Sequence, residues 1–202
     1  MKISALMVPN PITITEKASI SEAIELMKLN SIRHLPVVSE RGNTLKGFVT
    51  LADLKQGLIP SMVGDLSLQD LMIKNPITVD PDDDIERAAQ LIYKYKIGGM
   101  PVIKSNVVVG IITESDILRA FIDMMGILSA SSRIDVVIQD SPDAFKKALQ
   151  IIHDQGGEII NVGQTTQGGR KRVFYFRLTP CKTSIIKTAL EKNGFQVVDA
   201  MD

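Results

Sequence analysis

Leu6 to Gly57 reads LMVPNPITITEKASISEAIELMKLNSIRHLPVVSERGNTLKGFVTLADLKQG, and Leu71 to Ala120 reads LMIKNPITVDPDDDIERAAQLIYKYKIGGMPVIKSNVVVGIITESDILRA. The second stretch is the first written again. Leu6 maps to Leu71, Pro11 to Pro76, Ile20 to Ile85 and Pro36 to Pro101 at an offset of 65 residues; after a shorter hairpin, Gly47 maps to Gly110, Thr50 to Thr113 and Asp53 to Asp116 at an offset of 63. A duplication decides the architecture before any single element is read. One unit with a single apolar helical face cannot bury that face alone. Two units stacked about a pseudo-twofold axis can, and their seam makes a matched pair of clefts.

Each copy spells the same order of elements. Ile12-Thr13-Ile14 is β-prone. Ser19 followed by Glu22 forms a capping box before a helix whose Ile20, Ala23, Ile24 and Met27 share a face, ending near Asn30. Leu35 to Val38 is a strand entered through a proline, Arg41-Gly42-Asn43 a turn, Leu45 to Thr50 a second strand, and Thr50 to Asp53 opens another helix. In the second copy, Ile85, Ala88, Ala89 and Ile92 form the first helical face. Met100 to Ile103 and Val107 to Ile112 are its strands. A longer closing helix carries Leu118, Phe121, Ile122 and Met125 on one face. The unit is β-α-β-β-α.

The chain of 202 residues has 23 basic and 23 acidic side chains, so its formal net charge is zero. That balance gives no electrostatic footprint for nucleic acid or a membrane surface. No apolar run reaches the roughly 18 residues of a membrane span, and the first residues lack a signal peptide's apolar core. Cys181 stands alone, so no intrachain disulfide and no Cys/His zinc set is expected. A cytoplasmic protein is the expectation. No nucleophile-base constellation, Walker A or Rossmann glycine pattern occurs, so catalysis is not expected. Asp82-Asp83-Asp84 lacks EF-hand spacing and reads as a negative helix start.

Gly-x-x-Thr-x-x-Asp at a strand-to-helix junction has two compatible readings. Thr50 and Thr113 can cap, with Asp53 and Asp116 favouring the positive end of the helix. The same hydroxyl and carboxylate at a helix start can also hold a ribosyl phosphate, the aspartate taking the ribose diol.

Met7 to Thr13, Met72 to Thr78, Ile32 to Val38, Ile97 to Ile103, Gly47 to Asp53 and Gly110 to Asp116 stand in an order and spacing that resemble the CBS domain, twice, as in a CBS pair or Bateman module. The resemblance covers about residues 1–126. It implies adenosyl ligands in the clefts between the repeats, with Thr50/Asp53 and Thr113/Asp116 on ribose and phosphate. It also implies that Arg33 and His34 approach the phosphates, a fixed and a titratable cation. The second copy has Gly98-Gly99 there, leaving backbone amides, so the two clefts should differ, and the one using Arg33 and His34 should accept more phosphate charge. Apolar residues near the first strand and the x-Pro-Val loop sandwich the adenine in this family. Ile12, Ile77, Val37 and Val102 read as core by position; core packing is the better reading for Val37 and Val102, while Ile12 and Ile77 stay in the candidate set and Leu35 and Met100 are the better contacts for a base. Thr13, Pro36, Thr78, Gly99 and Pro101 complete the candidate set.

After Ser129-Ala130-Ser131-Ser132 the pattern changes. Arg133 to Gln139, Glu158 to Thr166, Arg172 to Leu178 and Phe195 to Val198 read as strands. Helices start at Ser141-Pro142 and Thr179-Pro180 and carry Phe145, Ala148, Leu149 and Ile152, then Ile185, Ile186, Ala189 and Leu190. Gln167-Gly168-Gly169 is a hairpin, with Arg170-Lys171-Arg172 solvating it. The order β-α-β-β-α-β is the ferredoxin-like split motif and resembles an ACT domain. In the strand-helix loop Asp140-Ser141-Pro142-Asp143, Asp143 puts bulk and charge where an amino acid's carboxylate sits in amino-acid-binding members. Edge-to-edge dimerisation is therefore the better reading.

The whole expectation is an α+β chain: CBS repeats at 1–64 and 65–128, then an ACT-like domain at 133–202. It resembles the acetoin-utilization CBS–ACT proteins of bacteria. The implied function is regulatory. An adenine nucleotide of the AMP/ADP/ATP class, ahead of S-adenosylmethionine, binds between the repeats, and the resulting change is read by a regulated protein. No metal and no cofactor beyond that ligand are expected, and a homodimer is. The alternative is a structural oligomerisation module without nucleotide.

Overall fold

The computed structural model describes residues 1–41, 43–56, 66–139, 141–167 and 171–202. Gly42, the junction between the repeats at 64/65, Asp140 and the hairpin tip at 168–170 lie outside the described residues. The chain forms two compact units, Met1–Leu118 and Arg119–Asp202. Among the described residues, no helix is long and apolar enough to cross a membrane.

The first unit opens with a 3-10 turn (Ile3–Ala5) and two short strands, β1 (Val8–Pro9) and β2 (Ile14–Thr15). Helix α1 (Ile20–Leu29) follows, then β3 (His34–Val38), β4 (Leu45–Thr50) and α2 (Leu51–Gln56). The second repeat supplies α3 (Leu68–Leu71), α4 (Ile85–Tyr95), β5 (Gly99–Lys104), β6 (Val107–Thr113) and α5 (Glu114–Met124). The predicted capping box of α1 is closed: the Ser19 amide donates to Glu22 Oε2 at 2.7 Å and the Glu22 amide to Ser19 Oγ at 3.1 Å. Ala23, Ile24 and Met27 are its buried face.

The two repeats exchange their leading segments. β1 pairs antiparallel with β6 of the other repeat, Val8 opposite Ile111. Ile73, the mate of Val8, bridges Phe48, the mate of Ile111, in the same sense. β2 stays at home, parallel to β3, and Val79 repeats that arrangement with Val102. The exchange reaches the core. Leu68 is fully buried in the cluster of Ile14, Met27, Leu35, Val37 and Leu54 of the first repeat. Its mate Ile3, also fully buried, donates its amide to Asp83 of the second repeat.

This exchange explains the glycine of Gly-x-x-Thr-x-x-Asp. A Cβ on Gly47 would stand 2.6 Å from Met72 Sδ, and one on Gly110 would meet Met7 Sδ. Each glycine admits the methionine of the other repeat. The segment Leu6-Met7 is thus the approach to an inter-repeat strand.

The face assigned to the closing helix is corrected. α5 buries Ile117 and Ala120, while Leu118 is 60% and Phe121 42% exposed. Ile117 is the mate of Leu54, which is fully buried in α2. The duplication outranks local periodicity because it carries the tertiary partner along with the residue.

In the second unit, β7 (Ser132–Ile138), α6 (Pro142–Asp154), β8 (Ile159–Gln167), β9 (Lys171–Leu178), α7 (Thr183–Lys192) and β10 (Gln196–Met201) follow the predicted β-α-β-β-α-β order. The sheet is antiparallel with order β10-β7-β9-β8. Ile134, Val136 and Ile138 pack with Ala148, Ile152, Phe176, Ile186 and Leu190. Ile185, placed on the α7 face from sequence, is 54% exposed. α7 also starts later than Thr179-Pro180 predicts. Thr183 donates its amide and hydroxyl to Asp202 Oδ1 at 2.7 and 2.6 Å. A carboxylate 19 residues away does what a local cap would do, and those two bonds hold it below the usual carboxylate range.

Candidate functional site: two cavities beside twin Thr-x-x-Asp boxes

The two Thr-x-x-Asp motifs fold alike. The Thr50 amide and hydroxyl donate to Asp53 Oδ2 at 2.9 and 2.7 Å, and the Asp53 amide donates to Thr50 Oγ1 at 3.2 Å. The corresponding distances for Thr113 and Asp116 are 2.8, 2.6 and 3.4 Å. Each is a capping box with aspartate in the glutamate position. Oδ2 takes both bonds, so Oδ1 lies outside the box and can accept from a diol. The threonine proton is committed to the carboxylate. Contact with a phosphate would require it to give up that bond.

Each box opens on a cavity. The first, of about 660 Å³, is lined by Thr50 and Asp53, by Asn75, Pro76 and Ile77 of the other repeat's leading segment, and by Lys96 to Gly99. The second, of about 290 Å³, has Thr113 and Asp116, the matching Asn10, Pro11 and Ile12, and Ser31 to His34. The exchange of leading segments is what brings each Asn-Pro-Ile opposite the other repeat's box.

Arg33 and His34 line both cavities, as does Gly98. They form a shared wall, which corrects the expectation that these two residues belong to one cleft. The His34 ring is stacked on Phe48 with centroids 5.9 Å apart. A Cβ on Gly98 would lie 2.7 Å from His34 Nε2, so this glycine leaves room for the imidazole. Burial pushes the His34 pKa down, with the Arg33 charge acting in the same direction; Glu114 and Asp53 oppose it. At neutral pH His34 is therefore a neutral hydrogen-bonding ring, and Arg33 carries the fixed charge of the wall.

Other candidates lie elsewhere. Leu35 and Met100 are fully buried and line neither cavity, so they are core rather than base contacts. Val37 and Val102 are equally buried. Thr13, Pro36, Thr78 and Pro101 are also absent from both linings, whereas Gly99 lines the first. His34 and Gly99 begin β3 and β5, and the residues after them are buried in succession on both faces.

Residues that motif reading left out include Phe48, Lys55, Lys96 and Glu114 in the first cavity and Ser31 and Ser115 in the second. Ser31 and Lys96 were findable. They are repeat mates just before Arg33 and Gly98, and both take the left-handed conformation that ends α1 and α4, at φ 53° and 55°.

The acidic run at 82–84 is paired with cations. Lys104 holds Asp82 at 2.8 Å, Arg87 holds Asp83 at 3.2 Å and Lys2 holds Asp84 at 3.1 Å. Among the described residues, no three His, Cys, Asp or Glu side chains cluster as metal ligands.

An internally duplicated α+β unit with exchanged leading strands and a cavity beside each box defines a tandem-repeat module. The chain belongs to the CBS domain family, whose model matches residues 3–59 and 65–123, more than half of its length. It resembles the solved CBS domain pair of protein MJ0100 in complex with 5′-methylthioadenosine and S-adenosyl-L-methionine: 32% identity, TM-score 0.56, covering 60% of this chain and 95% of that one. A putative acetoin utilization protein (AcuB) from Vibrio cholerae matches with 30% identity and TM-score 0.58 over 63% of this chain and 96% of that one. CBSX2 in complex with AMP matches with 28% identity and TM-score 0.53 over 60% and 96%. Among curated proteins, homoserine O-acetyltransferase of Methanocorpusculum labreanum is 42% identical over 116 residues, 56% of this chain and 23% of that one. The chain spans less than a quarter of that relative and of a similar sulfurtransferase of Methanocaldococcus jannaschii.

Proposed function

We propose that this chain is a regulatory sensor of adenosine nucleotides of the AMP/ADP/ATP class, not an enzyme. The observation that carries the reading is the twin arrangement. Each cavity has a carboxylate with one free oxygen for a ribose diol, an Asn-Pro-Ile segment from the other repeat opposite it, and Arg33 within reach. The adenosyl ligands named for two similar CBS structures support it. Ile12 and Ile77 flank the base, Asp116 and Asp53 take the ribose, and Arg33 with His34 meets the phosphate where the ligand carries one. Occupancy changes how the two repeats meet, in a homodimer, and a regulated partner protein reads the change. A ligand shifts such an equilibrium only by its differential affinity for the two states. The likeness to the acetoin-utilization protein makes that process a candidate context, with the second unit as an ACT-like dimerisation domain.

The test is calorimetric titration of nucleotide-stripped protein with adenosine, AMP, ADP, ATP and S-adenosylmethionine, repeated on Asp53→Ala and Asp116→Ala. One site lost in each variant is the expected result. In a melting scan, ligand at a hundred times its dissociation constant should add about 2.7 kcal/mol. No binding by any adenosyl compound would overturn the reading. It would favour a purely structural module, for which one observation speaks. β8 and β10 are the two edges of the second sheet, and they expose Ile160, Val162, Val198 and Met201 at 36–54%.

A further inference from the structure

Resting on that reading of the cavities, we infer that the two cavities divide adenosyl ligands by charge. The first takes the polyphosphate form through Lys55 and Lys96. The second takes an adenosyl ligand whose 5′ substituent bears no phosphate.

The duplication supplies the control. Every residue lining one cavity has a mate in the other repeat, so shared features cancel and differences stand out. The boxes, the Asn-Pro-Ile segments and Ile32/Ile97 are common to both. Arg33 and His34 serve both cavities and cannot tell them apart. What differs in charge is Lys96 in place of Ser31, together with Lys55 and Glu114, whose mates Leu118 and Leu51 do not line the second cavity.

Lys96 and Ser31 share one backbone conformation, φ 55° and 53°. The replacement therefore changes the side chain alone, an ammonium for a hydroxyl. The Lys96 Nζ rests 4.3 Å from the centre of the Tyr93 ring. Tyr93 is 77% exposed, so this is a weak holding position that an anion can draw the ammonium from. Arg33, Lys55 and Lys96 thus line the first cavity against two carboxylates, Asp53 and Glu114, and Asp53, like Asp116, is engaged in its box. In the second cavity Arg33 faces Asp116 alone. Volume points the same way, about 660 Å³ against about 290 Å³. The larger room has the cations that a longer phosphate chain needs. Glu114 works against them and should set an upper limit on phosphate affinity.

The experiment uses the full chain and calorimetry with adenosine and ATP in EDTA. Asp116→Ala isolates the first cavity and Asp53→Ala the second. The first cavity should prefer ATP to adenosine, and the second should not. Adding Lys55→Ala and Lys96→Ala to Asp116→Ala should lower the ATP-to-adenosine affinity ratio about tenfold, and Glu114→Gln should raise it. Equal ratios in the two cavities, or a ratio untouched by the lysines while adenosine still binds, would overturn the division and leave the sensor reading standing. Failure of every adenosyl compound to bind the unmodified protein would remove both.

Discussion

The two repeats agree inside and disagree at their cavity walls. Leu68 and Ile3, Leu54 and Ile117, Leu35 and Met100 are interchangeable in role, all nearly or fully buried. Lys96 against Ser31, Glu114 against Leu51 and Arg33 against Gly98 are chemically unlike. A buried position is constrained by volume, since a close-packed interior registers even a methylene. A position on a cavity wall meets solvent and tolerates a change of charge. A duplicated fold can therefore keep one frame and acquire two different ligand sites.

The sharpest break of this comparison would come from the exchanged core residues. Leu68→Ala and Ile3→Ala should each cost about 2–5 kcal/mol, measured by urea denaturation followed by circular dichroism. A large cost for one and little for the other would show that the exchange supports only one repeat. Next, Gly47→Ala and Gly110→Ala should each cost about 1–3 kcal/mol through overpacking against Met72 and Met7. Shortening the facing methionine should recover part of that cost, as a double-mutant cycle would show. An additive cycle would mean that the glycines serve something other than the methionines.

Smaller again, Thr50→Val and Thr113→Val should cost about 1 kcal/mol each by opening their boxes. Unequal costs in denaturation would show that the boxes differ beyond their matched distances. The smallest effect concerns His34. Its folded pKa lies below the ordinary value near 6.5, so the unfolded chain binds the proton more readily. Stability is complete above that ordinary value and falls as the pH drops through it toward the folded pKa. Melting temperatures between pH 7.5 and 5.5 should decline more for the unmodified protein than for His34→Gln. Parallel declines would place the titration elsewhere.

The order of elements was legible in the sequence because local signals set it. The Ser19-Glu22 box, the left-handed stops and the strand alternation act within a few residues. Both Thr-x-x-Asp boxes were legible for the same reason, and Asn10-Pro11-Ile12 and Asn75-Pro76-Ile77 stood in view as a repeated string. Misreadings came where a distant partner decided the outcome. Leu118 and Phe121 satisfy helical periodicity yet stay exposed, because Ile117 inherits the buried place of Leu54. The start of α7 depends on Asp202, beyond the reach of any local capping rule. Leu35 and Met100 looked like base contacts, but β3 and β5 are buried on both faces beyond their first residues.

By itself, then, the sequence determined that this protein is a duplicated α+β unit followed by a split β-α-β-β-α-β sheet. It also determined that each repeat ends a strand in a threonine-aspartate box. Only the tertiary structure decided that the repeats trade their leading segments, that Arg33 and His34 stand between two cavities, and that lysines collect at one of them. The reason is range. Hydrogen bonding and side-chain period are properties of neighbours along the chain. A cavity is made by residues far apart along the chain, such as Asp53 and Lys96, and its charge is the sum over walls that only folding brings together.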